Sequence, residues 1–175
     1  MRKVLFLFGQ LNDDDVEWMI NTGRRQPVAR GEALIRQGVP VDALFILLEG
    51  RLSVLLGRQE REIARLNAGE IVGEMSFVDA RPPSATVRGL EDAIVFAISK
   101  AVLQGKLDRD AGFAARFYRA LAIYLSTTVR ERHQGINGEV SEAQDDADEL
   151  DPNVLDGVYL AGERFDRMVK RVLAA

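Results

Sequence analysis

Gly69–Val87 reads GEIVGEMSFVDARPPSATV. A glycine turn leads into Gly73-Glu74-Met75. A one-turn apolar segment follows, then a proline-rich bend, then Ser84-Ala85-Thr86-Val87. The pattern predicts a short loop–helix–loop whose glycines let the backbone come close to another group. It carries a fixed carboxylate at Glu74, and hydroxyls with free N–H groups at its far end. Such a strip can hold a sugar hydroxyl at one end and a phosphate at the other.

Around this strip, from Gln26 to Ser99, seven glycines between Gly31 and Gly89 punctuate short runs rich in Val, Ile, Leu and Phe. The runs are Ala33–Arg36, Ala43–Leu48, Arg51–Leu56, Glu62–Leu66, Ser84–Arg88 and Ala93–Ile98. Many short strands with glycine turns predict an all-β sandwich or barrel. Glu49-Gly50 reads as a two-residue hairpin turn. Leu52, Val54 and Leu56 alternate with Arg51, Ser53 and Leu55, so one face of that strand is mostly apolar. Ala43–Leu48 is apolar on both parities and is expected to be buried on both faces.

Helical patterns flank the strands. Leu11–Thr22 reads as a helix with Asn12 as N-cap and Asp13, Asp14 and Asp15 in its first turn, where the dipole favours negative charge. Leu11 and Val16 form its hydrophobic staple. Ser99 caps a short helix through Leu107. Asp110–Gln134 then carries two apolar stripes, one of Phe113, Phe117, Leu121, Tyr124 and Thr128, the other of Tyr118, Ala122, Leu125 and Val129. That is more apolar surface than one domain needs, and it predicts a helix shared with a partner chain, a homodimer through 110–134. Residues 136–151 read as an acidic, solvated linker. Asp151-Pro152 then opens a last helix, Asn153–Leu173, with Val154, Val158, Ala161, Phe165, Met168 and Val172 on one face. The domain division is thus 1–135, 136–151 and 152–175.

Composition removes several classes of function. The chain has 175 residues, net charge −4, no cysteine and a single histidine, His133. Disulfides, thiolate catalysis and Cys- or multi-His metal sites are excluded. The acidic run lacks the spacing of an EF-hand. Val4–Phe8 is too short for a signal-peptide core or a membrane span, so the expected location is the cytoplasm, with no membrane partner. In Ile136–Ala175 ten acidic residues stand against four basic ones, and no second recognition helix follows, which argues against DNA binding. Glu74 and Ser84 have no third group placed to orient them as base and nucleophile, so no enzyme is expected.

Taken in order, Gly31-Glu32, Ile35, Gly38, Asp42, Phe45-Ile46-Leu47, Gly50, the strip at 69–87 and the long helix after it form a recognisable set. Over about Leu11 to His133 they resemble the cyclic-nucleotide-binding domain family, of the catabolite activator protein and cAMP-dependent protein kinase regulatory-subunit type, without a DNA-binding domain. The strip is similar to that family's phosphate-binding cassette. The resemblance implies an α+β fold with a mainly β core: an antiparallel β jelly roll of about eight strands, flanked by an N-terminal helix and long C-terminal helices. It implies a ribose end at Gly73, Glu74, Met75 and Ser76, and a phosphate end at Arg81, Pro83, Ser84, Ala85 and Thr86. Thr127 and Thr128 fall near where a base would lie.

Pro83 stands where the family places an arginine. Proline supplies neither a cation nor an N–H. A lost charge-assisted hydrogen bond is worth ~1.5–3 kcal/mol, or about 10- to 150-fold in affinity. Arg81, two residues earlier, is either a substitute or an exposed surface residue. The resemblance implies a regulatory domain sensing cAMP or cGMP, with no cofactor or metal, and signalling through its long helix to a separate output protein. The alternative is a ligand-independent dimerisation or scaffold module with a degenerate pocket.

Overall fold

The computed structural model describes residues 4–136 and 152–174, with side chains described over 4–129 and 159–174. The predicted acidic linker, apart from residue 136, lies outside the described residues, as do the side chains of His133, Val154 and Val158. Among the described residues eight strands form two antiparallel four-stranded sheets. They are β1 (Arg24–Val28), β2 (Ala33–Ile35), β3 (Ala43–Glu49), β4 (Arg51–Leu56), β5 (Arg61–Asn67), β6 (Ile71–Val72), β7 (Thr86–Gly89) and β8 (Ala93–Ser99). One sheet runs β1-β8-β3-β6 and the other β2-β7-β4-β5. The expected jelly roll of about eight strands is the fold observed.

The first sheet is covered on both faces. Successive side chains of a strand point to opposite sides. Phe45, Leu47, Val95 and Ala97 accordingly meet Leu52 and Val87 of the second sheet in a core between the sheets. Leu44, Ile46, Leu48, Phe96 and Ile98 point the other way, into a larger core shared with the helices. Burial of β3 on both faces follows from this double cover, as its sequence predicts.

Three strand readings need correction. Glu49-Gly50 is not a hairpin turn: β3 pairs with β6 and β8, whereas β4 pairs with β5 and β7, so the chain crosses between sheets there. Gly50 has φ +82°, and a Cβ on it would lie 2.5 Å from the Asp92 carbonyl oxygen, so only glycine fits this corner. In β4 the alternation breaks at a register shift between Val54 and Leu55, which buries Leu55 and exposes Leu56. The strand expected over Ser84–Arg88 starts two residues later, at Thr86.

The first predicted helix is α2 (Asp13–Thr22), with Asn12 as N-cap. Asp15 N–H donates to Asn12 Oδ1 at 2.8 Å, and Asn12 N–H to Asp15 Oδ2 at 3.0 Å, a complete capping box. Asp15 is buried and holds Arg116 in a two-bond pair at 2.6 and 2.9 Å. Ahead of α2 lies α1 (Val4–Gln10), which buries Val4, Leu7 and Phe8. The C-terminal side adds α4 (Lys100–Arg109), α5 (Ala111–Ile136) and α6 (Pro152–Ala174). Ser99 is the N-cap of α4 but makes no side-chain capping bond.

On α5 the first predicted stripe turns inward: Phe113, Phe117, Leu121 and Tyr124 are buried. On the second stripe Tyr118 is 44% exposed and Val129 52%. Helix α6 folds back onto the N-terminal helices, burying Ala161, Phe165, Met168 and Val172. Arg164 donates to the carbonyls of Phe8 and Leu11, at 2.9 and 2.7 Å, and to Asp13 Oδ1 at 2.8 Å. One guanidinium thus satisfies acceptors at the end of α1 and joins them to the first turn of α2. Among the described residues no helix is long and apolar enough to cross a membrane.

Candidate functional site

Gly73, at φ +91°, ends β6 and caps a one-turn helix, α3 (Glu74–Val78). A Cβ there would sit 3.0 Å from the Ala43 carbonyl oxygen. Glycine therefore lets the cassette enter against β3, as the strip's reading expected. After α3 the chain bends through Ala80, a non-glycine residue at φ 56°. It then runs through Pro82 and Pro83 to β7.

The bend is braced from the β2 side. Gly38 N–H donates to the Pro83 carbonyl at 2.9 Å, and Gln37 N–H to Thr86 Oγ1 at 3.1 Å. Between the cassette, β4, β5 and α5 lies a cavity of about 500 Å³. That is within the range of small-molecule sites.

Most of the proposed site residues meet at this cavity. Gly73, Glu74, Met75 and Ser76 line it. Arg81, Pro83, Ser84 and Ala85 line it too, and Thr128 contributes from α5. Thr86 and Thr127 are not among the lining residues. The Thr86 hydroxyl accepts from Gln37, and the Thr127 hydroxyl donates to the Ile123 carbonyl at 3.0 Å. Thr128 also donates to its own helix, to the Tyr124 carbonyl at 3.0 Å.

Arg81 does not turn inward to replace the missing cation. Its side chain is 84% exposed and sits 3.9 Å from Asp79 Oδ2, while its backbone N–H donates to Asp79 Oδ1. Lys100 stands outside the lining. Burial pushes its ammonium below the ordinary 10.5, with Asp42, Asp79 and Glu74 pulling the other way.

Sequence reasoning missed several lining groups. Glu70, Arg65 and the apolar walls of β4 and β5 all face the cavity. Tyr124, placed in the sequence on a packing stripe, lines it as well and donates to the Ile71 carbonyl at 2.9 Å. The only signal available was position, since Glu70 follows the turn glycine and Tyr124 lies one turn before Thr128. This hydrogen bond and the edge-on packing of Phe77 against Phe117 at 5.8 Å join the cassette to α5.

Comparison with known proteins agrees with this geometry. The family profile described as "Cyclic nucleotide-binding domain" matches residues 25–110. The cAMP-dependent protein kinase regulatory subunit of Blastocladiella emersonii is 27% identical over 150 residues, 82% of this chain and 37% of that protein. The cyclic AMP receptor protein of Thermus thermophilus is 32% identical over 95 residues, 53% of this chain and 44% of that one. A cyclic nucleotide-binding domain from Methylobacillus flagellatus shares the fold at TM-score 0.69 and 22% identity, covering 79% of this chain and 85% of that one. The chain spans 25% to 37% of the length of the first curated relatives it matches. The profile match together with the shared two-sheet fold places residues 25–110 of this chain in the cyclic nucleotide-binding domain family.

Proposed function

We propose that this chain is a regulatory ligand-sensing domain, with residues 1–135 as the sensing unit. A small molecule sits between the cassette and α5, with Gly73, Glu74, Met75 and Ser76 at one end and Arg81, Pro83, Ser84 and Ala85 at the other. The observation that carries this reading is that one cavity is lined both by the cassette and by Tyr124 and Thr128 of α5. An occupant therefore touches both, and the Phe77–Phe117 and Tyr124–Ile71 contacts give its position a route into the helix. A ligand shifts the arrangement only through differential affinity for its two states.

The exposed stripe at Tyr118 and Val129 supports a homodimer through 110–134 and a surface for a separate output protein. The family points to cAMP or cGMP, bound weakly because Pro83 brings no cation. The reading assigns no catalytic residue. A ligand-independent scaffold module is the second reading, favoured by Pro83 and the outward Arg81.

Thermal unfolding at low salt with cAMP or cGMP, raised to millimolar, tests the cyclic-nucleotide form of the proposal. A ligand at ~100 times its dissociation constant adds ~2.7 kcal/mol. Weak binding predicts a melting temperature that rises only near millimolar ligand and not in Glu74→Gln. A flat response at every concentration contradicts cyclic-nucleotide sensing.

A further inference from the structure

The segment between α3 and β7 presents an exposed hydroxyl. Residues 79–85 belong to no helix or strand. Within them Ser84 is exposed, and its hydroxyl makes no hydrogen bond among the described residues. Arg81, three residues earlier, turns an 84% exposed side chain to solvent and is only loosely associated with Asp79, at 3.9 Å. An exposed pair of that length contributes little, so the guanidinium can be drawn to another carboxylate at small cost. Between them Pro82 and Pro83 disfavour helix at the residue ahead of each and keep the stretch extended.

Among all the serines and threonines of the chain, Ser84 alone has an arginine or lysine three positions before it. Its neighbours in the fold are engaged or covered. Thr86 is half-buried and its hydroxyl accepts from Gln37 N–H. Thr127 and Thr128 donate to their own helix, and Ser53 is buried. An accessible hydroxyl, extended backbone and an exposed arginine at this spacing thus coincide at one residue.

We propose that Ser84 is a phosphorylation site for an arginine-directed protein kinase, one whose substrate groove sets carboxylates against a basic residue three positions ahead of the acceptor. The Ser84 oxygen attacks the γ-phosphorus of the nucleoside triphosphate held by the kinase. A new O–P bond forms as the bond to the β-phosphate oxygen breaks. Nucleoside diphosphate leaves, and the hydroxyl proton passes to the kinase's catalytic carboxylate. Because Ser84 lines the cavity, the product sets a charge of about −1.5 to −2 on its wall. The proposal needs an exposed segment and not an occupant of the cavity, so it stands apart from the ligand-sensing reading.

Calmodulin-dependent kinase II, which reads an arginine at this spacing, serves as the probe, with ATP and the full chain. Fragmentation mass spectrometry is expected to find a single phosphate, on Ser84. Ser84→Ala is expected to abolish incorporation. Arg81→Ala is expected to lower kcat/KM by at least about tenfold, the return from one charge-assisted hydrogen bond. A synthetic peptide of residues 76–90 separates recognition from access. It is expected to react within about tenfold of the folded chain, since the segment needs no local unfolding to reach the kinase. Arg81→Ala in the peptide is expected to slow it equally, which keeps the readout independent of how the variant chain folds.

No phosphate on the folded chain would overturn the proposal. So would phosphate on Thr86, Ser76 or any other residue in place of Ser84. An Arg81→Ala chain or peptide modified as fast as its parent would remove the arginine from recognition and overturn it too. A peptide that outruns the folded chain by more than about tenfold would show that the fold withholds Ser84.

Discussion

The hydroxyl of Tyr124 donates a 2.9 Å hydrogen bond to the carbonyl of Ile71, tying the middle of α5 to the strand that enters the cassette. Both residues are buried, so the bond is shielded from water. Tyr124→Phe removes the donor and leaves a buried acceptor poorly served. It is expected to destabilise the chain by about 1–2 kcal/mol in urea unfolding. A change within error would mean that α5 is held to the cassette by ring packing alone.

Backbone conformation in the cassette predicts opposite effects for two small substitutions. Gly73 has φ +91°, with the Ala43 carbonyl oxygen 3.0 Å from a Cβ built there, so Gly73→Ala is expected to cost about 1–2 kcal/mol. Ala80 already occupies the left-handed region at φ 56°. Ala80→Gly is expected to stabilise by up to about 1 kcal/mol. Paired denaturation curves check both signs.

The α6 clamp is graded by burial. The Arg164 side chain is only 13% exposed, and it donates to two carbonyls and one carboxylate. Arg164→Ala is expected to cost about 2–3 kcal/mol. Arg167, 42% exposed, reaches Asp13 at 3.2 Å, and Arg167→Ala is expected to change stability by less than about 0.5 kcal/mol. Equal losses in thermal unfolding would contradict this ordering.

Acid is expected to loosen the same clamp. The hydrogen bond from Arg164 holds Asp13 below its ordinary 3.8, and that from Arg171 holds Glu17 below its ordinary 4.5. A carboxylate with a depressed folded-state pKa contributes stability that is complete above its unfolded value and is lost as pH falls through the folded one. The α6 contribution is therefore constant from pH 6 to 8 and declines below about pH 4. Melting temperatures of the parent and of Asp13→Asn are expected to converge in acid. Parallel curves would contradict the assignment.

The sheets could be read where side-chain pattern alone decides burial. Ala43–Leu48 is apolar on both parities because sheet and helices cover it from opposite sides. The capping box of α2 is a local device and was legible in Asn12 and Asp15. The crossing at Glu49-Gly50 was not, because a turn signal does not say which sheet the next strand joins.

Strand β1, RRQPV, escaped because two arginines and a proline read as loop; it lies at a sheet edge, where a missing N–H is tolerated. Helix α1 is held by docking against α5 and α6, which is a tertiary fact. The cassette ends were visible in Gly73, Glu74 and Ser84, whereas the walls at Leu66 and Val54 come from strands distant in sequence.

The central claim is that the cassette keeps the geometry of a ligand cradle and that Pro83 is what separates it from a cyclic-phosphate site. Calorimetric titration of Pro83→Arg with cAMP tests this most directly. The account predicts affinity at least about tenfold above the parent chain, the return from one restored charge-assisted hydrogen bond. Heat flow indistinguishable from buffer at millimolar cAMP, in a variant that still unfolds cooperatively, would contradict it.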